Sequence, residues 1–267
     1  MPHHESFPDA NMAFGRLMEV VEELRAQCPW DRKQTKESLR HLTIEETYEL
    51  SDTILADDYA EMEGELGDLL MHLVFYASLA RDAGQFDMKA VLETQIEKLI
   101  RRHPHIYGDM VGASEAEIRA NWEQVKAQER AAKGEETRSV LAGVPQSLPA
   151  LIQAQRMQEK AAGIGFDWER TEDVWDKVTE ELAEFEAANS PETRAEEMGD
   201  LLFTVVNYCR HTGINAEDAL ARSNQKFQRR FTHVEAGARD LHRPLKALSL
   251  AELDALWDAA KAQERAT

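Results

Sequence analysis

Lys177-Val178-Thr179-Glu180-Glu181-Leu182-Ala183-Glu184, followed past Asn189-Ser190-Pro191 by Glu196-Glu197-Met198-Gly199-Asp200, decides the fold. Glu181 and Glu184 stand i, i+3 on one predicted helix, and Glu197 and Asp200 stand i, i+3 on the next, so each pair shares a face. Asn189-Ser190-Pro191 stops one helix and restarts another, with Ser190 at the N-cap and Pro191 at the first helical position, where no N–H is needed. Glu184 lies six residues before Ser190 and Glu197 seven after it. At equal rise per residue, the two pairs of an antiparallel hairpin arrive at about the same height, and four carboxylates converge.

Converging acids repel, and the chain turns apolar just beyond them (Leu201-Leu202-Phe203-Thr204-Val205-Val206), which predicts an end packed inside. Buried carboxylates without partners are costly. A hard divalent cation with oxygen ligands neutralises them, and Mg2+ held by carboxylates and substrate phosphates is the usual form, with Mn2+ as a substitute. A single such run reads more readily as a solvated helix face. There is, however, a second copy. Glu45-Glu46-Thr47-Tyr48-Glu49 and Glu65-Leu66-Gly67-Asp68 repeat the pattern before another apolar run from Leu69 to Tyr76, with Asp57 the expected cap between the helices. The expected metal ligands are thus Glu181, Glu184, Glu197 and Asp200 in one cluster and Glu46, Glu49, Glu65 and Asp68 in the other.

At 267 residues the chain is long enough for one or two domains with real cores. Its formal net charge of -19 argues against a nucleic-acid groove or an anionic membrane surface, while a triphosphate bound through metal remains compatible. Two cysteines far apart, Cys28 and Cys209, imply neither a disulfide framework nor a zinc cluster, and suit a reducing cytoplasm. Residues from Met1 to Asn11 lack the apolar core of a signal peptide, and His3-His4 there reads as tail. The most apolar run, Leu69 to Ala80, is too short to span a bilayer and carries His72.

The pattern is helical throughout, with no strand-like alternation. Predicted helices run from Met12 to Gln27, Lys36 to Ala56 behind a Thr35 cap, Tyr59 to Arg81, Asp87 to His103, and Glu115 to Ala132. A polar, glycine- and proline-bearing linker follows, and then the order restarts at Leu148, with Thr171 expected to cap the second acid helix as Thr35 caps the first. Glu45, Glu46 and Glu49 recur 135 residues later as Glu180, Glu181 and Glu184; Trp122, Lys126, Gln128, Glu129 and Arg130 recur as Trp257, Lys261, Gln263, Glu264 and Arg265. The offset slips to 132 at Asp68 and Asp200 and to 128 at Lys98 and Lys226. Such a repeat is a tandem of two helical domains, 1–133 and 148–267, joined by residues 134–147. Each acid hairpin needs partner helices over its apolar side, from its own chain or another.

Basic residues supply the other half of a phosphate site. Lys226 and Arg230 are i, i+4 on one helix, as are Lys98 and Arg102, and Lys177 precedes Glu181 by one turn. A guanidinium can hold two phosphate oxygens at once. Each of these also reads as an ordinary surface cation. Trp257, one turn before Lys261, offers a face for a base, or packs in a core. The first half carries Lys98, Arg102, Trp122 and Lys126 as its weaker counterpart set. Trp30, Phe166 and Trp168 read as packing residues, and His72, His103, His105 and His211 as structural or solvent-facing.

These acids, with Cys28-Pro29-Trp30-Asp31, Arg101-Arg102-His103-Pro104-His105, Gly165-Phe166-Asp167-Trp168 and Lys226-Phe227-Gln228-Arg229-Arg230-Phe231, resemble the two-domain bacterial members of the MazG nucleoside triphosphate pyrophosphohydrolases over nearly the whole chain. The resemblance implies tandem bundles of the all-α NTP pyrophosphatase type and Mg2+-dependent hydrolysis of nucleoside triphosphates to monophosphate and pyrophosphate. It also implies broad base tolerance and a homodimer whose helices complete each bundle. The residues then take roles: Glu180 as acceptor of the water's proton beside Glu181, with Lys177, Lys226 and Arg230 against the phosphates. Two other readings stay open. A di-iron carboxylate bundle would need Glu-x-x-His where this chain has Glu-x-x-Asp. A non-enzymatic helical module would use the acids as a solvated or partner-binding face. Finally, Lys177 corresponds to Leu42 in the first half, so the C-terminal half is the expected main active site.

Overall fold

The computed structural model describes residues 7–108 and 139–266, with Gly112, Ser114, Glu117, Ile118, Asn121, Val125 and Glu129 between them. Trp122, Lys126, His3, His4, most of the helix expected from Glu115 to Ala132 and the start of the linker lie outside the described residues. Every regular element among the described residues is helical, in two compact units, Met1–Gly134 and Glu135–Thr267.

The first unit comprises α1 (Pro8–Gln27), a 3-10 turn (Asp31–Lys33), α2 (Lys36–Ala56), α3 (Tyr59–Asp82), α4 (Met88–Arg102) and the short α5 (Pro104–Tyr107). Thr35 starts α2 through a capping box: the Ser38 N–H donates to Thr35 Oγ1 at 3.2 Å, and the Thr35 N–H donates to Ser38 Oγ at 2.9 Å. The α2–α3 turn divides between two aspartates the work expected of Asp57 alone. Asp57 takes the left-handed conformation, φ 56°, that closes α2, and Asp58 caps α3 by accepting from the Ala60 and Glu61 N–H groups. Val21, Leu39, Val74, Phe75, Ala77 and Met88 form the core, with Leu42 packed against it. Each large side chain buried there contributes about 1.5–3 kcal/mol. Ion pairs Arg25–Asp82 (2.8 Å) and Arg81–Glu22 (2.7 Å) hold α1 on α3.

The second unit repeats the scheme with α6 (Ala150–Ala162), α7 (Thr171–Ala187), α8 (Pro191–His211), α9 (Ala216–Asp240), a 3-10 turn (Leu245–Ala247) and α10 (Leu250–Ala266). Ser190 caps α8, its Oγ accepting from the Thr193 N–H at 3.1 Å, with Pro191 opening the helix as the sequence predicts. Thr171 does not cap α7. It is the first helical residue, and Arg170 in the cap position makes no side-chain cap bond. Gln158 Nε2 donates to the Phe203 carbonyl at 2.8 Å, tying α6 to α8. On α9, a Cβ at Gly237 would fall 2.5 Å from Leu256 Cδ2, so the missing side chain is what lets α10 close against α9.

Two expectations about packing are overturned. The apolar runs after the acids are buried on one side only: Thr204 and Val206 are buried, but Leu202, Phe203 and Val205 are exposed, as are Leu66, Leu70 and Leu73 on α3. A hairpin has two faces, and each unit covers one of them. Trp30, Phe166 and Trp168 are not core residues but 58%, 77% and 42% exposed, because the short connections carrying them run over the surface. Among the described residues no helix is long and apolar enough to cross a membrane.

Leu39, 2% exposed at the centre of the first core, sets a stability test. Leu39→Ala should cost about 3 kcal/mol and lower the urea midpoint of the first unit; a midpoint unchanged within error would mean this cluster does not hold the unit together.

Candidate metal centre and nucleotide site

Each hairpin gathers acids as its sequence spacing requires. Glu181 and Glu184 on α7 and Glu197 on α8 offer carboxylate oxygens that all lie within 4.8 Å of one another, and Glu46 and Glu49 on α2 do the same with Glu65 on α3. Asp200 and Asp68 stand outside these groups of three, at exposed positions one turn further along. An i+3 step displaces a side chain by about 4.5 Å along the axis, which separates them from the tightest set. Both still act on it electrostatically, Asp200 on Glu197 and Asp68 on Glu46. A cavity of about 420 Å³ opens at the second hairpin's turn, lined by Glu184, Glu197, Asn189, Ser190 and Thr193.

The two clusters compensate their charge differently. In the second, Lys177 Nζ lies 2.7 Å from buried Glu181 and 2.9 Å from exposed Glu180, and these carboxylates, Glu181 foremost, raise the ammonium's pKa. The cation expected to face phosphate is therefore anchored on the acids as well. In the first, Leu42 fills that helical position and packs on the core. Without the ammonium, Glu46 is pushed up to about 7, chiefly by burial, then by the charges of Asp68, Glu49 and Glu65. The hydrogen bond with Glu65 acts on Glu46 in the same direction. Burial also raises Glu65 and Glu197, each among neighbouring carboxylates.

A divalent cation fits this donor set. The donors are hard carboxylate oxygens, the first cluster lacks the ammonium that the second one has, and Glu65 Oε2 is buried with no hydrogen-bond partner.

The basic and aromatic candidates gather separately, between α9 and α10. The Arg230 guanidinium lies 5.7 Å from the Trp257 ring centroid, and Phe227 packs on the same ring at 5.2 Å. Arg230 pairs with Glu264 at 2.7 Å. Lys226 is exposed on α9, and Lys261 pairs with Asp258 at 3.0 Å. In the first unit Arg102 pairs with Glu129, and Lys98 Nζ donates to Gln95 at 3.5 Å.

Sequence reading missed two groups. Glu129 and Glu264 were visible as repeated residues, but their arginine partners come from another helix. His72 is buried, 3.3 Å from Thr43 Oγ1, which in turn lies 2.7 Å from the Tyr76 hydroxyl. Thr43 and His72 have no like residue at the corresponding places, Val178 and Thr204, so the repeat gave no signal.

Fold and site together define a class, the all-α proteins whose duplicated helical hairpins carry carboxylate clusters able to hold a divalent cation. The model of the MazG nucleotide pyrophosphohydrolase domain matches residues 34–107 and 172–235, one match on each acid hairpin. The chain belongs to this hydrolase family. It is 43% identical over 259 residues to the nucleoside triphosphate pyrophosphohydrolase of Escherichia coli, covering 93% of this chain and 97% of that one. It is 42% identical over 255 residues to the nucleoside triphosphate pyrophosphohydrolase/pyrophosphatase MazG of Thermotoga maritima, covering 95% and 97%. The Mycobacterium tuberculosis nucleoside triphosphate pyrophosphohydrolase is 36% identical over 165 residues, 60% of this chain and 49% of its own.

The Glu46 shift from an ordinary 4.5 to about 7 means the folded chain binds that proton more tightly than the unfolded chain does. The resulting stabilisation is complete below about pH 4.5 and is lost as pH rises through about 7. A cation must displace the proton, so its affinity for the first cluster should fall about tenfold per pH unit below 7. Calorimetric titration of Mn2+ into a Glu184→Gln, Glu197→Gln double variant checks this; an affinity flat between about pH 6 and pH 8 would remove Glu46 as a ligand.

Proposed function

We infer that the chain hydrolyses nucleoside triphosphates, of varied base, to nucleoside monophosphate and pyrophosphate with Mg2+, and that the C-terminal half carries most of the turnover. The observation that carries the assignment to the C-terminal half is the contrast between Lys177 on Glu181 and Leu42, packed on the core, one turn before Glu46 in an otherwise similar cluster. The names of the Escherichia coli and Thermotoga maritima relatives support the substrate class.

Glu181, Glu184, Glu197 and Asp200 would hold the ion in the C-terminal half, and Glu46, Glu49, Glu65 and Asp68 in the N-terminal half. When bound, Mg2+ supplies charge neutralisation to triphosphate oxygens and a template for an in-line water. Lys177 screens Glu181 and keeps Glu180 next to it; Glu180, exposed, is the acceptor for the water's proton. Arg230, Lys226 and Lys261 offset phosphate charge, and Trp257 presents its ring to the base. Lys98, Arg102, Trp122 and Lys126 are the corresponding N-terminal set. The working arrangement is two domains, 1–133 and 148–267, on a 134–147 linker, acting in the cytoplasm. A second copy of the chain covers the apolar faces at Leu66, Leu70 and Leu73 and at Leu202, Phe203 and Val205, all exposed in the single chain. No nucleic acid or membrane is a partner.

Product analysis over a nucleotide panel tests the reaction: monophosphate plus pyrophosphate is expected, and diphosphate plus phosphate rejects the bond assignment. Among full-length variants, Glu184→Gln should lose most activity and Glu49→Gln little. Lys177→Leu should lose about tenfold to a hundredfold, the equivalent of one charged contact of about 1.5–3 kcal/mol. Equal losses from Glu49→Gln and Glu184→Gln would make the halves equivalent. Leu202→Glu should give monomers in light scattering; an unchanged dimer would place the interface elsewhere.

A further inference from the structure

We propose that Glu264 is a positioning residue of the C-terminal nucleotide site, holding the Arg230 guanidinium by one edge beside Trp257 and leaving its other edge for phosphate. The inference rests on the reading of Arg230 and Trp257 as nucleotide contacts. Arg230 Nε donates to Glu264 Oε2 at 2.7 Å, and Nη2 lies 2.7 Å from the same oxygen. A guanidinium carries five N–H donors in a fixed fork. This contact occupies the Nε edge, and Nη1 has no protein acceptor among the described residues. The ring of Trp257, 5.7 Å from the guanidinium carbon, is itself packed by Phe227, which stacks on Phe231 at 5.8 Å. A carboxylate beneath and an aromatic surface beside the fork restrict a side chain that otherwise has much rotamer freedom to lose on binding.

The pair is shielded enough to matter. The Arg230 and Glu264 side chains are 20% and 32% exposed, against 62% for Arg229, whose Nε lies 3.8 Å from Glu264 Oε1. Arg230 foremost, then Arg229 and Lys226, hold the Glu264 carboxyl below its ordinary value, so it stays ionised.

The first unit supplies an independent observation. Glu129 is held by Arg101 Nε at 2.9 Å and by Arg102 Nε at 3.2 Å. Arg102 and Glu129 are 27 residues apart, whereas Arg230 and Glu264 are 34 apart. The connection differs in length by seven residues between the two copies, and the pair persists. A pair serving only as an incidental surface contact has no reason to re-form after such a change.

Steady-state kinetics of the full chain with ATP and Mg2+ test the proposal, using Glu264→Ala, Glu264→Gln, Arg230→Ala and the Glu264→Ala, Arg230→Ala double variant. Glu264→Ala should raise KM about tenfold with kcat within about twofold, since what it loosens is ground-state binding. Glu264→Gln, which still accepts from Nε, should recover part of the loss. In the Arg230→Ala background, Glu264→Ala should add nothing. Multiplying effects in the double variant, or a KM that is unchanged or lowered by Glu264→Ala, overturns the proposal. Thermal denaturation accompanies the kinetics: an equal fall in Tm for both Glu264 variants with KM unchanged assigns the pair to structure alone and also overturns it. If Arg230→Ala itself leaves KM unchanged, the underlying nucleotide-site reading fails instead, and the two failures are thereby separated.

Discussion

Repulsion among carboxylates that cannot move apart governs this structure. The helical hairpins are closed by short capped turns, so Glu181, Glu184 and Glu197 meet whether or not anything neutralises them, as do Glu46, Glu49 and Glu65. Helix axes are stiff and the turns are fixed by Ser190 in one case and by Asp57 and Asp58 in the other. The second cluster brings in an ammonium, and in the first Glu46 is pushed up to about 7. Both responses leave the oxygens facing one another, and the buried, unpartnered Glu65 Oε2 marks where a cation would complete the set. A cation held there would suit a phosphoanhydride hydrolase, whose reaction needs concentrated positive charge.

The duplication makes the two responses comparable within one chain. Lys177 and Leu42 occupy equivalent helical positions, yet one serves the acids and the other the hydrophobic core. The surroundings of the two acids diverge with it: burial and then neighbouring carboxylates push Glu46 up to about 7, whereas its counterpart Glu181 is paired with Lys177. Preserved features are as informative. Both units set an arginine pair on one helix against a glutamate that follows a tryptophan by seven residues in sequence, Trp122 with Glu129 and Trp257 with Glu264.

Packing sets a second condition. Each unit builds a core against one face of its acid hairpin, and the remaining face keeps leucine, phenylalanine and valine in contact with water. The apolar exposure lies on the same helices as the clustered acids, so whatever covered that face would also stiffen the hairpin that presents them.

Periodicity and capping residues alone determined that the chain is all-helical, that Ser190 and Pro191 begin α8, and that Thr35 begins α2, because caps and 3.6-residue spacing are local. The repeat at 135 residues likewise exposed the duplication and, with it, the acids that meet. What only the tertiary structure decided concerns contacts between residues far apart in sequence. Asp68 and Asp200 fall outside the tightest carboxylate groups because a turn of helix separates them from the point of closest approach. Trp30, Phe166 and Trp168 lie exposed because their connections run over the surface, which residue type does not reveal. Arg230 with Glu264, and Thr43 with His72 and Tyr76, depend on which helix faces are brought together. One-dimensional spacing specifies the face of a helix; the neighbour that face meets is set by packing.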